Sequence, residues 1–313
     1  RNLYRSFVTV IGEAISNAWD ADAKKVWIYI DRDKNRFFIK DDGTGMTKGD
    51  FQNKFLKIGY SKRKDGQTTS PGGRPYIGSK GIGKLALLSC AKKISIIAKT
   101  SSTDYVGGVI DNTGLDEAIK QDMTPDQYPL EEYDSELFDP YTQEHEKGTI
   151  ICFEQIKENI RNTIPYLRKL IALYFRFSLI DESFNIFVNE KQVTFNDIKE
   201  LSEATEFLWN INSLKDPYID TLSALKNEPT NIDSSLNIDG FIATVEKPRY
   251  LKITGTEEKA GIDLFVNGRL RERNILKHMP DFSTRHVASY LYGQIHFNEL
   301  DGDQIDKIKE SFS

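Results

Sequence analysis

The sequence predicts an α/β or α+β fold in two domains, and three features carry that reading. Helix-like and strand-like segments alternate along the whole chain. The 313 residues are enough for two domains of ordinary size. A long apolar helical stripe over residues 159–177 reads as the bridge from a domain at 1–158 to a second at 159–313.

The elements follow in order. Leu3–Ala23 has apolar residues at Leu3, Phe7, Val10, Ile11, Ala14, Ile15 and Ala18, the spacing of an amphipathic helix. Lys25–Asp31 and Phe37–Lys40 read as two strands that pair as a hairpin. After the turn DDGTGMT at 41–47, Lys48–Ile58 reads as a short helix. Residues 59–75 are polar, basic and glycine-rich and read as a mobile loop. The glycine cluster 78–83 opens into an apolar helix, Lys84–Lys92, followed by a strand at Ile94–Ala98. Residues 101–147 are acidic and rich in turn formers, with a strand candidate at Tyr105–Ile110, and read as an insertion. Gly148–Glu154 is a core strand. Beyond the bridging helix come a hairpin at Asn185–Val193, a helix at Asn196–Trp209, strands at 236–246, 261–267 and 293–297, and a terminal helix after Asp301.

Composition narrows the function classes. With 39% hydrophobic and 28% charged residues, the chain builds sizeable cores and is not disordered by composition. A net charge of −5 gives no global attraction to nucleic acid or to an anionic membrane, leaving only local basic patches. Cys90 and Cys152 sit in apolar surroundings and read as small core residues. His145, His278, His286 and His296 lack zinc-like spacing. No apolar run reaches membrane-spanning length and no signal peptide is visible, so a cytoplasmic protein without a membrane partner is expected. The chain starts at Arg1 and stops within a helical pattern at Ser313, as expected of a piece of something longer.

Four stretches bear chemistry. At roughly 100° per residue, Glu13, Asn17 and Asp20 fall within about 60° of one another on one stripe of the first helix. Such a stripe either faces solvent or holds a metal and positions a water. Gly43 and Gly45 let the backbone turn tightly and approach a flat ligand; the Asp-Gly pair is either just a turn or, with Asp41 buried beside it, an acceptor for an exocyclic amine such as adenine N6. In GSKGIGK, Gly78, Gly81 and Gly83 precede a helix and expose N–H groups to phosphate. The cluster is not a P-loop: Leu85 stands where the Mg²⁺-binding hydroxyl belongs, and no hydrophobic strand leads into it. Gly148-Thr149 opens a strand.

Glu13-x-x-x-Asn17-x-x-Asp20, Asp41-x-Gly43-x-Gly45, Gly78-x-x-Gly81-x-Gly83 and Gly148-Thr149, in that order, resemble the GHKL ATPase superfamily of gyrase B, Hsp90, the sensor kinases and MutL, to which MORC proteins are related. The resemblance spans about residues 3–155 and implies a Bergerat-type α/β sandwich that binds ATP and Mg²⁺. It makes Glu13 the general base and Asn17 the Mg²⁺ ligand, with Asp20 in support near the nucleotide. Asp41 would bind adenine N6, with Gly45 and Met46 lining the base pocket and Thr149 reaching the same edge. Gly78, Gly81 and Gly83 would wrap the phosphates; Lys84 either adds charge there or is a solvated residue of the first turn. Residues 59–77 would be the ATP lid, with Ser61, Lys62 and Arg63 as candidate phosphate or partner contacts. GIDLFVNGRLRER at 261–273 resembles the VNGR strand of the S5-like transducer domain of MutL, gyrase B and MORC proteins. The transducer lysine stays unassigned among Lys252, Lys277, Lys307 and Lys309, because DGDQID is acidic where that lysine is expected. The resemblance implies a Mg²⁺-dependent ATPase whose lid closes as two N-terminal domains associate into a homodimer, a clamp on a protein or DNA client. The alternatives are a nucleotide-gated binding module with little turnover and a histidine-type protein kinase.

Overall fold

The computed structural model describes residues 3–55, 69–77, 90–112, 131–156, 163–175, 177–212, 214–253, 258–279, 281 and 286–300. They form two compact units: residues 1–162 with 183–192, and residues 163–182 with 193–313.

The first unit begins with helix α1, Leu3–Asp20, as its apolar spacing requires. Val10, Ile11, Ala14, Ile15 and Ala18 are all buried. Among the described residues its strands are β1 (Lys25–Asp31), β2 (Arg36–Asp41), β3 (Ala91–Lys99), β4 (Val106–Asp111), β5 (Gly148–Ile156), β6 (Asn185–Val188) and β7 (Lys191–Gln192). They form one sheet in the order β4-β3-β5-β2-β1-β6-β7. The β1–β6 pair is parallel and the others are antiparallel. Ile28, Ile39, Ile151 and Ile96 stand in register across four strands and are buried. The next row holds Ile30, Phe37, Phe153 and Ile94, with Phe37 and Phe153 stacked at 4.4 Å. The opposite face carries Phe38, Ile97, Ile150 and Cys152, covered by Phe138, Tyr105, Tyr133, Leu137 and Tyr141. Part of the acidic insertion therefore covers the sheet's second face, where full burial of Phe138 contributes about 1.5–3 kcal/mol. Cys90 and Cys152 are buried, as the sequence suggests.

The second unit contains a six-stranded sheet of β8 (Thr205–Ile211), β9 (Thr230–Ile232), β10 (Asp239–Val245), β11 (Ile262–Val266), β12 (Arg269–Glu272) and β13 (Leu291–His296). Its order is β12-β11-β13-β10-β8-β9. Asn267 and Gly268 join β11 to β12 at φ +49° and +76°, the two-residue turn that an Asn-Gly pair favours. The helix Ile164–Tyr174 lies in this unit, where Arg168 grips Asp197 with two bonds of 2.8 and 3.0 Å. Tyr218, fully buried, meets the Tyr292 hydroxyl at 3.1 Å, and Tyr292 meets the Thr205 hydroxyl at 2.5 Å. Buried Asp263 accepts the Asn274 N–H at 2.9 Å, and burial pushes its carboxyl up to about 6.

Several elements differ from the sequence reading. Ala91 and Lys92 belong to β3, not to the preceding helix, because Ala91 pairs with Ile156. Thr205–Trp209 is strand, not helix. A bulge shifts the β8–β10 register between Thr244 and Val245. The extra residue, Glu206, sets buried Thr205 three positions from buried Leu208, the spacing of a helical stripe. The hairpin expected at Asn185–Val193 in the second domain forms as β6 and β7 but completes the first unit's sheet. The helix expected at 48–58 is one α turn, Lys48–Asp50, then a π turn, Phe51–Phe55. The helix expected from Lys84 to residue 89, and the one after Asp301, lie outside the described residues.

Candidate active site

The C-terminal end of α1 is the hub of the site. Asp22 N–H bonds the Trp19 carbonyl at 3.0 Å and Ala23 N–H bonds the Ala18 carbonyl at 3.0 Å, a Schellman closure. The left-handed position that closure needs is filled by Asp22 at φ +55° rather than by glycine. Side-chain bonds compensate: Ser70 Oγ donates to one carboxylate oxygen of Asp22 and Gly72 N–H to the other at 2.9 Å.

Each neighbouring aspartate also holds backbone. Asp20, 4% exposed, accepts Ile77 N–H at 2.8 Å, directly before the Gly78–Gly83 cluster. Asp42 Oδ1 accepts Lys24 N–H at 2.7 Å and Lys25 N–H at 2.8 Å. Asp41 Oδ1 accepts Gly43 N–H at 2.9 Å, which fixes the rotamer of that carboxylate. Thr44 N–H bonds the Ala21 carbonyl at 2.8 Å and ties the glycine turn to the helix end.

The two glycine motifs meet here. Gly45 lies at φ +69°, where a Cβ would stand 1.8 Å from the Lys99 carbonyl oxygen. Gly148 lies at φ +120°, where a Cβ would stand 1.9 Å from the Asp41 carbonyl oxygen. Both positions require glycine for its conformation and for close approach. The structure thus gathers Asp41, Gly43, Gly45, Gly148 and the end of α1. Thr149 follows Gly148 on β5 opposite Ala98, and like Asn17 and Met46 it is partly exposed. Glu13 is 8% exposed and lies two turns before Asp20, about 10 Å along the helix. Gly78, Gly81, Gly83 and Lys84 lie outside the described residues, as do residues 56–68, which include most of the expected lid.

Residues 69–77 are described and are firmly tied, unlike the mobile loop the sequence suggests. Beyond the Asp22 bonds, Ser70 N–H bonds the Arg74 carbonyl at 2.8 Å. The Arg74 guanidinium lies over Trp19 at 4.5 Å and over Phe184 at 5.4 Å, donates to Ser183 Oγ at 2.9 Å and bonds the Ala23 carbonyl. Trp19 Nε1 donates to the Pro75 carbonyl at 3.0 Å. These partners are distant in sequence, so local composition gave no sign of them.

His145 is the residue sequence reasoning missed. It is 4% exposed, between the Tyr105 hydroxyl and the Asp41 carbonyl, each 2.8 Å away. Burial lowers its pKa against the raising effect of the Asp41 bond, and Lys40 and Lys99 lower it further. Its one sequence cue is its place just ahead of Gly148-Thr149.

Among the described residues, no three His, Cys, Asp or Glu side chains gather as a metal site. Among the same residues, no helix is long and apolar enough to cross a membrane.

Residues 4–139 match the family described as histidine kinase-, DNA gyrase B-, and HSP90-like ATPase. The "Putative type II restriction enzyme HgiDII" of Herpetosiphon aurantiacus is 29% identical over 98% of this chain and 48% of its own length. The chaperone protein HtpG of Shouchella clausii is 21% identical over 91% of the chain and 45% of its own. The DNA mismatch repair protein MutL of Ehrlichia chaffeensis is 24% identical over 86% of the chain and 36% of its own. The chain spans about half or less of the length of these relatives. The ATPase region of Saccharomyces cerevisiae topoisomerase II shares the fold over 94% of the chain and 73% of its own, with TM-score 0.51 at 12% identity. The family match over residues 4–139, together with the likenesses to HtpG and MutL, supports a relationship of the first unit to the GHKL ATPase superfamily.

Proposed function

We propose that the first unit binds ATP with Mg²⁺ and hydrolyses it, and that hydrolysis resets a clamp formed when two N-terminal units associate. The observation that carries this reading is the convergence of the Asp41–Gly45 turn, Gly148 and the end of α1, with buried Glu13 on the same helix. Asp41 accepts the adenine N6 amine, with Gly45 and Met46 beside the base and Thr149 at its edge. Gly78, Gly81 and Gly83 surround the phosphates, with Lys84 adding charge. Asp20 holds the chain that leads into them through Ile77. Glu13 polarises the attacking water and takes its proton. The donor chemistry fits Mg²⁺: Asn17 offers one hard oxygen one turn from Glu13, and triphosphate oxygens and water complete such a shell. Bound there, Mg²⁺ would neutralise charge on the phosphates.

The test pairs phosphate release with nucleotide binding. Glu13→Ala is expected to lower turnover by about 10²–10⁴ and keep ATP affinity within a few-fold. Asn17→Ala and Asp41→Asn are expected to weaken binding itself. Undiminished phosphate release from Glu13→Ala removes Glu13 as the base. The protein's size with a non-hydrolysable ATP analogue reports the dimer: a monomer with and without it leaves the nucleotide-gated module as the better reading.

The HgiDII and MutL likenesses favour a DNA-associated clamp, and HtpG favours a protein client. Stimulation of phosphate release by duplex DNA distinguishes them.

A further inference from the structure

The hydrogen-bond chain through His145 has a direction. Its Nε2 is 2.8 Å from the Asp41 carbonyl oxygen, and a carbonyl only accepts, so Nε2 carries a proton. Burial keeps the ring neutral, so Nδ1 holds a lone pair and accepts the Tyr105 O–H at 2.8 Å. The planes of the two rings are nearly parallel, 12° apart. The chain runs from Tyr105 O–H to Nδ1 and from Nε2–H to Asp41. The Asp41 carbonyl is thus gripped by an imidazole and abutted by Gly148. Its carboxylate is held by Gly43. Backbone and side chain of one residue are fixed independently.

We propose that His145, oriented by Tyr105, is a positioning residue that sets base specificity: it locks the Asp41 backbone so that the carboxylate meets an exocyclic amine at the purine 6-position. The proposal rests on the ATP reading of the Asp41 turn. It assigns selection of a 6-aminopurine to a side chain that reaches the base only through Asp41. A hydrogen bond to a carboxylate is directional, so a carboxylate free to shift loses that bond first.

The test compares ATP with purine riboside triphosphate, which carries hydrogen in place of the N6 amine. Dissociation constants are measured for the unaltered protein, His145→Phe, His145→Gln and Tyr105→Phe. The unaltered protein is expected to prefer ATP by about 10- to 100-fold, the worth of a hydrogen bond to a charged group. His145→Phe keeps a ring but loses both nitrogens. It is expected to weaken ATP by about tenfold or more and leave the analogue within about twofold, so the preference collapses. His145→Gln restores an N–H donor and part of the preference. Tyr105→Phe removes one hydroxyl, keeps the packing and narrows the preference less; it carries the test if His145→Phe does not fold. A preference that survives His145→Phe, or Tyr105→Phe in its place, overturns the proposal, as does equal weakening of both nucleotides. Equal binding of the two nucleotides by the unaltered protein overturns the Asp41 reading and the proposal together.

Discussion

Gly148→Ala probes the contact on which the site depends. At φ +120° a non-glycine residue costs about 1–3 kcal/mol in backbone strain. The added Cβ would also stand 1.9 Å from the Asp41 carbonyl oxygen and 2.7 Å from its carbon. A carbon–oxygen contact needs about 3.3 Å, so β5 and the Asp41 turn must part by roughly 1.4 Å. Forcing atoms into packed structure adds about 1–3 kcal/mol, for a total of about 2–6 kcal/mol. A displacement of that size takes the Asp41 carboxylate out of hydrogen-bond range of a base held elsewhere in the site. ATP affinity is then expected to fall by roughly 10- to 100-fold. Gly73→Ala is the matched control: it also has positive φ, +86°, but no atom lies within 4 Å of its added Cβ. Thermal unfolding and calorimetric ATP titration of both variants separate backbone strain from collision. If Gly148→Ala loses no more stability than Gly73→Ala and binds ATP as the unaltered protein does, the reasoning fails.

Two further outcomes follow from the same geometry. Asp22→Ala removes the acceptors for Ser70 Oγ and Gly72 N–H while keeping a side chain at φ +55°. It should cost about 2–3 kcal/mol and accelerate amide exchange across residues 69–77, whereas Asp22→Gly, which relieves the strain, should cost less; unchanged exchange there speaks against the latch. For Asp263 the folded pKa of about 6 lies above its ordinary 3.8, so the fold prefers the protonated form. That preference is fully present below pH 3.8, and stability drains away as pH rises from there through about 6. The difference of about two pH units is worth at most about 3 kcal/mol. Asp263→Asn stays neutral and keeps an acceptor for Asn274, so it should melt higher than the unaltered protein at pH 8 and equally at pH 3.5; a lower melting point at pH 8 contradicts this.

What the sequence made legible was local. The apolar spacing of α1, the bounds of β1 and the glycine turn after Asp41 all follow from neighbouring residues, and the structure has them. The meeting of Gly45 with Lys99 and of Gly148 with Asp41 was implied only by the order of motifs resembling a family. Partnerships between remote residues were not legible. Arg74 reads as one more basic loop residue until Trp19 and Phe184 are placed beside it. His145 reads as a scattered histidine until the sheet brings Asp41 across from it. The helix reading of Thr205–Trp209 failed where strand pairing with β10, remote in sequence, takes over, and the bulge at Glu206 interrupts the period-two signal at its start.

The late arrival of β6 has a consequence for synthesis. Strand β1 receives its parallel partner only when Asn185–Val188 appears, and Ile30 N–H bonds Asn189 Oδ1 across 159 residues of chain. At about 5–20 residues per second, β1 leaves the ribosome roughly 8–30 s before that partner. Meanwhile Trp27, which stacks on Phe187 at 5.8 Å in the finished sheet, sits on an open edge. The first unit is therefore completed only after the helix Ile164–Tyr174 of the second has been made. A shortened gene ending at residue 162 makes that open edge permanent, and its product should aggregate where one carrying residues 183–192 does not.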